Sequence, residues 1–167
     1  MAYNNNSYGS RPNYGGRSDY RGGQNRPQQS APARPAPAEI RPEKLPEIYV
    51  DRAEAIMGEL SQERSNITTS KIRNLLSLVS DIYNVEKLRT DKTLTEESIA
   101  KLGMMRVRVA YECGRDGRDS ATRLFVEKAR LLQYIKGIGT ERDSLLHFAH
   151  YMEALVAYHR FFGGKEN

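Results

Sequence analysis

The chain has 167 residues, of which 28% are charged, and its formal net charge at pH 7 is +5. This length suits one domain with extensions, and the single cysteine, Cys113, excludes an intrachain disulfide. No basic segment and apolar run follow Met1, and no apolar stretch approaches membrane-spanning length, so we expect a cytoplasmic protein with no membrane partner.

The composition changes near residue 44. All seven prolines lie at or before Pro46, and Leu, Ile and Val are absent before Ile40. We therefore expect residues 1–43 to form a disordered tail rich in Gly, Tyr, Arg and Pro, and residues 44–167 to form the folded domain. The tail is either a flexible arm or a weak, sequence-tolerant RNA binder, because Arg and Tyr can stack on unpaired bases.

Apolar residues at helical spacing follow Glu47 and predict an all-α bundle of about five helices, with no competing strand pattern. A threonine is expected to cap the second helix. The apolar positions of the first two helices are Val50, Ala53, Ile56, Met57 and Leu60, then Ile72, Leu75, Leu76, Val79, Ile82 and Tyr83.

The first turn of the second helix carries Lys71 and Arg73, where helix N-termini usually carry acids. Free backbone N–H groups, hydroxyls and cations together predict a phosphate site at this helix end. The other interpretation is that both cations point into water at a small cost.

The third helix is predicted from Thr95 to about Cys113, with Gly114 ending it, and it carries two stripes. The apolar stripe consists of Ile99, Leu102, Val109, Ala110 and Cys113, with Met105 at its edge. The opposite stripe consists of Lys101, Met104, Arg108, Tyr111 and Arg115. Glu112 is the only acid between its two ends, which favours a face that contacts phosphates over an ordinary solvated face.

The turn-rich stretch 114–119 adds Arg118 beside Arg115. These two arginines either approach a nucleic-acid backbone or pair with Asp116 and Asp119. A fourth helix is expected after Asp119, ending at Gly137. The positions expected to be buried in that helix are Ala121, Leu124, Phe125, Leu131, Leu132 and Ile135; those expected on its solvated face are Arg123, Glu127, Arg130 and Tyr134.

A last helix is predicted from Thr140 to Gly163. Tyr151 and Tyr158 form a second line on it, which suits either contact with a neighbouring subunit or packing within the chain. The positions of this helix expected to be buried are Leu145, Phe148, Ala149, Met152, Leu155 and Val156.

Catalytic motifs are missing from the sequence, which has no Walker loop, no CxxC pair and no HExxH. The one metal-like cluster, His147, His150 and Glu153, spreads over about 120° of its helix. His159 falls on the apolar face and is expected to be a hydrogen-bonded core histidine. We therefore expect no catalytic residue, metal or cofactor, and a metal-dependent nuclease that uses the cluster is the rival hypothesis.

Three blocks of sequence resemble, in the same order, the small helical subunit of the type III-A CRISPR interference (Csm) effector complexes. They are ITTSKIRN at 67–74, RVRVAYECGR at 106–115 and YMEALVAYHRFFGG at 151–164. The match covers roughly residues 44–167. The tail departs from the compact form of the family.

The resemblance implies a non-catalytic bundle within an RNA-guided antiviral ribonucleoprotein. Its partners are expected to be the guide RNA, the target RNA, the backbone subunits, the large subunit and further copies of itself. We expect the chain to bind phosphates of the target RNA in the guide–target duplex without reading bases. The residues predicted to do so are Lys71, Arg73, Lys101, Arg108, Arg115 and Arg118. The alternative is a free-standing RNA-binding or chaperone protein whose basic tail is the main binder.

Overall fold

The structure, a computed structural model, describes residues 39–63, 67–117 and 119–164. Its helices are α1 (Tyr49–Ser61), α2 (Thr69–Glu86), α3 (Glu96–Arg115), α4 (Ala121–Lys128), α5 (Leu131–Ile138) and α6 (Arg142–Phe161). Within these residues the only β-pairing is an isolated antiparallel bridge between Thr93 and Glu141. The predicted all-α bundle is confirmed, and the expected disorder of residues 1–38 lies outside the described residues. None of the described helices is long and apolar enough to cross a membrane.

Three helices begin at side-chain caps. The hydroxyl oxygens of Thr68, Thr95 and Ser120 each accept a hydrogen bond from the backbone N–H three residues later, at 3.1–3.4 Å. Such a cap satisfies one of the free N–H groups of a helix start and typically contributes about 1 kcal/mol. The threonine cap expected for the second helix is confirmed at Thr68.

Helix α6 forms the centre of the bundle and packs against α1, α2 and α5. Its side chains Phe148, Tyr151, Met152 and Leu155 are fully buried. The hydroxyl of Tyr151 donates to the carbonyl of Ala129 at 3.1 Å, so the polar end of this buried ring is satisfied. Helix α3 packs on α2, α4 and α5 and completes the bundle.

The predicted fourth helix is two helices, because Arg130 between them adopts a left-handed backbone with φ of 51°. The break reorients the chain, and α5 buries one complete side. Tyr134, which was expected on a solvated face, is 1% exposed, so that expectation was wrong. The buried positions of α5 are Leu131, Tyr134, Ile135 and Ile138.

The segment before α1 lies across α5. The backbone N–H of Glu43 donates to the carbonyl of Gln133 at 3.1 Å, and the ammonium of Lys136 donates to the carbonyl of Ile40 at 2.8 Å. Gly137 permits this approach, since a Cβ at that position would overlap the backbone carbonyl of Glu43.

Two helix ends differ from those predicted. Helix α3 continues through Gly114 to Arg115, and the left-handed residue that follows its cap is Gly117, with φ of 92°. Helix α6 begins at Arg142 rather than Thr140, because the carbonyl of Thr140 accepts the backbone N–H of Leu94 at 2.9 Å.

The buried line of α3 is rotated relative to the predicted apolar stripe. It consists of Ser98, Leu102, Met105 and Val109. Ile99 and Ala110, both expected in the core, are exposed. Ser98 is buried, and its hydroxyl oxygen lies 2.9 Å from that of Thr95, so its polar atom has a partner. Cys113 is partly buried against the core, as expected, and burial raises the pKa of its thiol.

Candidate nucleic-acid interface on helices α2 and α3

The second stripe of α3 lies on the surface over its whole length. Met104 is 66% exposed and Tyr111 is 61% exposed, which is unusual for side chains of this size. The three cations of the stripe, Lys101, Arg108 and Arg115, are exposed as well. Helical spacing alone was sufficient to predict this arrangement.

The stripe forms one wall of a groove of about 850 Å³ between α2 and α3, which we call the α2–α3 groove. Helix α2 contributes Leu78, Asp81 and Ile82 to the groove, whose surface is mainly apolar. Helix α3 contributes the five residues of the stripe, together with Glu97, Ala100, Met105, Val107 and Glu112. The groove therefore combines an apolar surface with cations on one wall.

A smaller recess of about 350 Å³ shares Leu78, Arg108, Glu112 and Arg115 with the α2–α3 groove and extends to Lys71. The two cavities together bring four of the six predicted RNA-binding residues to one side of the bundle. Those four are Lys71, Lys101, Arg108 and Arg115. Arg73 is exposed on α2 but lines neither cavity, and Arg118 lies outside the described residues.

Most of these cations already have carboxylate partners. Lys101 pairs with Glu97 at 2.7 Å, one turn before it in α3. Arg115 pairs with Glu112 at 2.6 Å and reaches Asp116 at 3.5 Å. The sequence predicts the pairing of Arg115 with Asp116 as one alternative, but not the pairing of Lys101 with Glu97, which lies one turn before the stripe.

Arg108 differs from its neighbours. Among the residues that the structure describes, no carboxylate lies within 4.0 Å of its guanidinium. It lines both cavities and stands midway along the stripe. An exposed guanidinium with no such carboxylate in the described part of the chain can pair with an external anion.

The start of α2 is neutralised from within the chain. The ammonium of Lys71 pairs with the carboxylate of Asp116, and Thr122 donates its hydroxyl to the same carboxylate at 2.7 Å. These hydrogen bonds lower the pKa of Asp116 to about 2, so its carboxylate is ionised at neutral pH. Neither sequence interpretation of Lys71, phosphate binding or free solvation, included this partner.

A buried carboxylate was missed entirely. Glu86 at the end of α2 is 0% exposed and accepts hydrogen bonds from the N–H and the hydroxyl of Thr95, at 3.2 and 3.1 Å. Its pKa is lowered overall: burial raises it, but hydrogen bonds from Ser98 and Thr95 and the charge of Arg89 outweigh burial. Glu86 thus fastens the end of α2 to the start of α3. The only signal in the sequence was Arg89 three residues later.

The histidines of the metal-like cluster contact different neighbours. The ring of His147 lies edge-on to Tyr49, with centroids 4.6 Å apart, and the ring of His150 packs at 5.5 Å from Tyr83. Within the described part of the chain no group of three side chains is placed to hold a metal ion.

His159 is 1% exposed, and its Nε2 lies 2.7 Å from the carbonyl oxygen of Ile67, so the expected hydrogen-bonded core histidine is confirmed. Tyr151 is also buried, so it packs within the chain and does not lie at an exposed interface.

The fold and the groove together define the class of this protein: it is a small all-α bundle with a partly apolar, partly cationic groove on its surface. Comparison with known proteins is more specific: the model of the Csm2 type III-A family matches residues 43–165. The chain therefore belongs to the Csm2 type III-A family, as the three sequence blocks predicted.

Two similar proteins carry the name CRISPR system Cms protein Csm2. The one from Streptococcus thermophilus is 40% identical over 123 residues, which cover 72% of this chain and 95% of the relative. The one from Mycobacterium tuberculosis (strain CDC 1551 / Oshkosh) is 37% identical over 119 residues, which cover 71% of this chain and 94% of the relative.

Proposed function

We propose that this chain is a non-catalytic small subunit of a type III-A CRISPR ribonucleoprotein in the cytoplasm and that its α2–α3 groove binds the phosphate backbone of target RNA paired with the guide. Its partners are then the guide and target RNA, the backbone subunits, the large subunit and further copies of this chain. In this proposal residues 44–167 form the RNA-binding domain, and residues 1–43 are not needed for binding the target RNA. Membership of the Csm2 family supports the place in the complex.

The single observation that carries the RNA contact is Arg108. Phosphate contacts give affinity without sequence information, and sequence would come from base pairing with the guide. Lys101 and Arg115 flank Arg108 along α3. Lys101 can exchange its exposed partner Glu97 for a phosphate at small cost, because exposed ion pairs contribute little, whereas Arg115 is paired with the partly buried Glu112. Arg73, which lines neither cavity, and Arg118, which lies outside the described residues, remain predicted contacts.

The experiment compares Arg108→Glu with Arg106→Glu in the complex assembled with guide RNA. Both arginines are exposed on α3, but Arg106 lies on another side of the helix, beside Ile99 and Ile135. We expect Arg108→Glu to weaken target RNA binding about tenfold and to reduce the slope of log K against log[salt] by about 0.7–0.9, the value for one phosphate contact. Arg106→Glu should bind as wild type does.

Equal losses in the two variants would contradict the groove and would indicate general electrostatic attraction. If deletion of residues 1–43 abolished RNA binding while Arg108→Glu had no effect, the free-standing protein that binds RNA through its tail would be the better hypothesis. Circular dichroism of each isolated variant controls for loss of the fold.

A further inference from the structure

Three acids just before and within the first two turns of α1 have no cationic partner among the described residues. Glu47, Asp51 and Glu54 are exposed, and among the described residues no ammonium or guanidinium lies within ion-pair distance of any of them. Some exposed acids do have a partner, as Glu59 has in Lys128 at 3.0 Å, and others, such as Asp81, have none among the described residues. The helix dipole accounts for Asp51 in the first turn of α1, but Glu54 lies beyond that turn.

Three aromatic rings adjoin these acids at the end of α6. Phe162 packs over Gly58 of α1, and its centroid lies 5.1 Å from that of Phe161 and 6.3 Å from that of Tyr158. Phe161 is 77% exposed. An exposed phenylalanine at the edge of a ring cluster leaves a large apolar surface in water.

Acids and rings form one continuous surface. Phe162 lies over Gly58, one turn after Glu54 in α1, and Tyr158 lies one turn before Phe162 in α6; the nearby Glu54, burial and the charge of Asp51 raise the pKa of the Tyr158 phenol. We call the surface formed by Asp51, Glu54, Tyr158 and Phe161 the α1–α6 seam. Its charge is opposite to that of the stripe on α3.

The chemistry of the α1–α6 seam selects a cationic ligand. A guanidinium can stack on an aromatic ring while it forms paired hydrogen bonds with a carboxylate, so arginine matches such a surface better than any other side chain. Phosphates are repelled by the same carboxylates. Helix α1 packs on α6, whereas α3 packs on α2, α4 and α5, so the seam and the α2–α3 groove belong to different pairs of helices.

We infer that the α1–α6 seam is a docking surface for a basic, arginine-bearing segment of another protein subunit. The inference rests on the proposed place of this chain in a multi-subunit complex. In this inference the α1–α6 seam binds a protein partner and the α2–α3 groove binds RNA. Charge complementarity and the exposed ring of Phe161 carry it.

The first test places a photo-crosslinking residue in the seam. The full chain with Phe161→p-benzoylphenylalanine is assembled with the other subunits and guide RNA, then irradiated. We expect an adduct with a peptide of another subunit that contains arginine. An adduct with RNA, or no adduct, would overturn the docking surface. The same residue at Tyr111 in the groove should give an adduct with RNA, and failure at both positions would count against the proposed function as well.

The second test reverses charge in the seam. Asp51→Lys with Glu54→Lys should reduce incorporation of the chain into the complex about tenfold or more, because like charges would then face each other across the interface. The matched control, Glu39→Lys with Glu153→Lys, changes two exposed acids outside the seam by the same total charge and should incorporate normally.

The variant Tyr158→Phe tests whether the phenol hydroxyl of Tyr158, rather than the two acids, is what incorporation requires. This variant removes the hydroxyl beside Glu54 but keeps both acids and the ring, so it should incorporate as wild type does. If Tyr158→Phe lost as much incorporation as the charge reversal, or if the reversal lost none, the docking surface would be disproved. Target RNA binding by the assembled Asp51→Lys, Glu54→Lys complex should stay unchanged, which distinguishes this result from failure of the groove.

Discussion

Asp116 joins three helices at one point. Its carboxylate pairs with Lys71 at the start of α2 and accepts the hydroxyl of Thr122 in the first turn of α4, while its own backbone follows the last residue of α3. Because Lys71 is 45 residues from Asp116 in the sequence, helical periodicity could place both side chains but could not pair them. The carboxylate of Asp116 therefore stabilises the fold. Only the solvent-exposed part of the Lys71 side chain is accessible to RNA.

We expect Asp116→Asn to lower the free energy of unfolding by about 1–2 kcal/mol at pH 7. The folded-state pKa of about 2 lies below the ordinary value of 3.8. The ionised carboxylate hence stabilises the fold above about pH 4, and this contribution is lost as the pH falls towards 2. Urea unfolding of both proteins at several pH values measures the difference.

The difference between wild type and Asp116→Asn should shrink steadily below pH 4. A constant difference from pH 7 to pH 2.5 would show that shape rather than charge matters at this position. Asp81→Asn is the control, because Asp81 is exposed and has no ion-pair partner among the described residues.

At the scale of single elements, the sequence predicted which segments are helical better than where they end. The spacing of apolar residues is sufficient to predict that α1, α2 and α6 are helical, since 3.6-residue periodicity is a local property. The sequence predicts a helix end at Gly114, but the left-handed residue is Gly117, three positions later. Because Gly114 and Gly117 are only three residues apart, the local sequence does not show which of them ends the helix.

The break between α4 and α5 could not be predicted from composition. Arg130 is an ordinary helix former, yet its backbone is left-handed, and Tyr134 after the break is buried. The nearby ion pair between Arg130 and Glu43, at 2.6 Å, links residues 87 positions apart, beyond any helical period.

The left-handed backbone of Arg130 supports a prediction for this break. We expect Arg130→Gly to be more stable to urea than Arg130→Ala by about 1 kcal/mol. Both variants lose the ion pair with Glu43, so their comparison isolates the backbone. Equal stability, or a more stable alanine variant, would show that position 130 becomes helical when the arginine is removed.

At the scale of the whole molecule, the cations and acids that matter for the two proposals lie on different helix pairs. Charge reversal in the α2–α3 groove should weaken RNA binding alone, and reversal in the α1–α6 seam should weaken incorporation alone. A chain that carries Arg108→Glu, Asp51→Lys and Glu54→Lys should show both losses, each with the size found separately.

RNA affinity and incorporation, measured for the single and combined variants in one series, test this independence. A combined loss that departs from the separate losses by more than about 0.5 kcal/mol would reveal coupling through α6, which lies against both α1 and α2.

The central position of α6 also has a consequence in time. Helix α1 ends at Ser61 and packs on a helix that begins at Arg142, about 80 residues later. At typical rates of synthesis of 5–20 residues per second, α1 leaves the ribosome roughly 4–16 s before its packing partner exists. During that interval its apolar side is available to chaperones or to the wrong neighbour, so the order of synthesis makes α1 the element most exposed to misfolding.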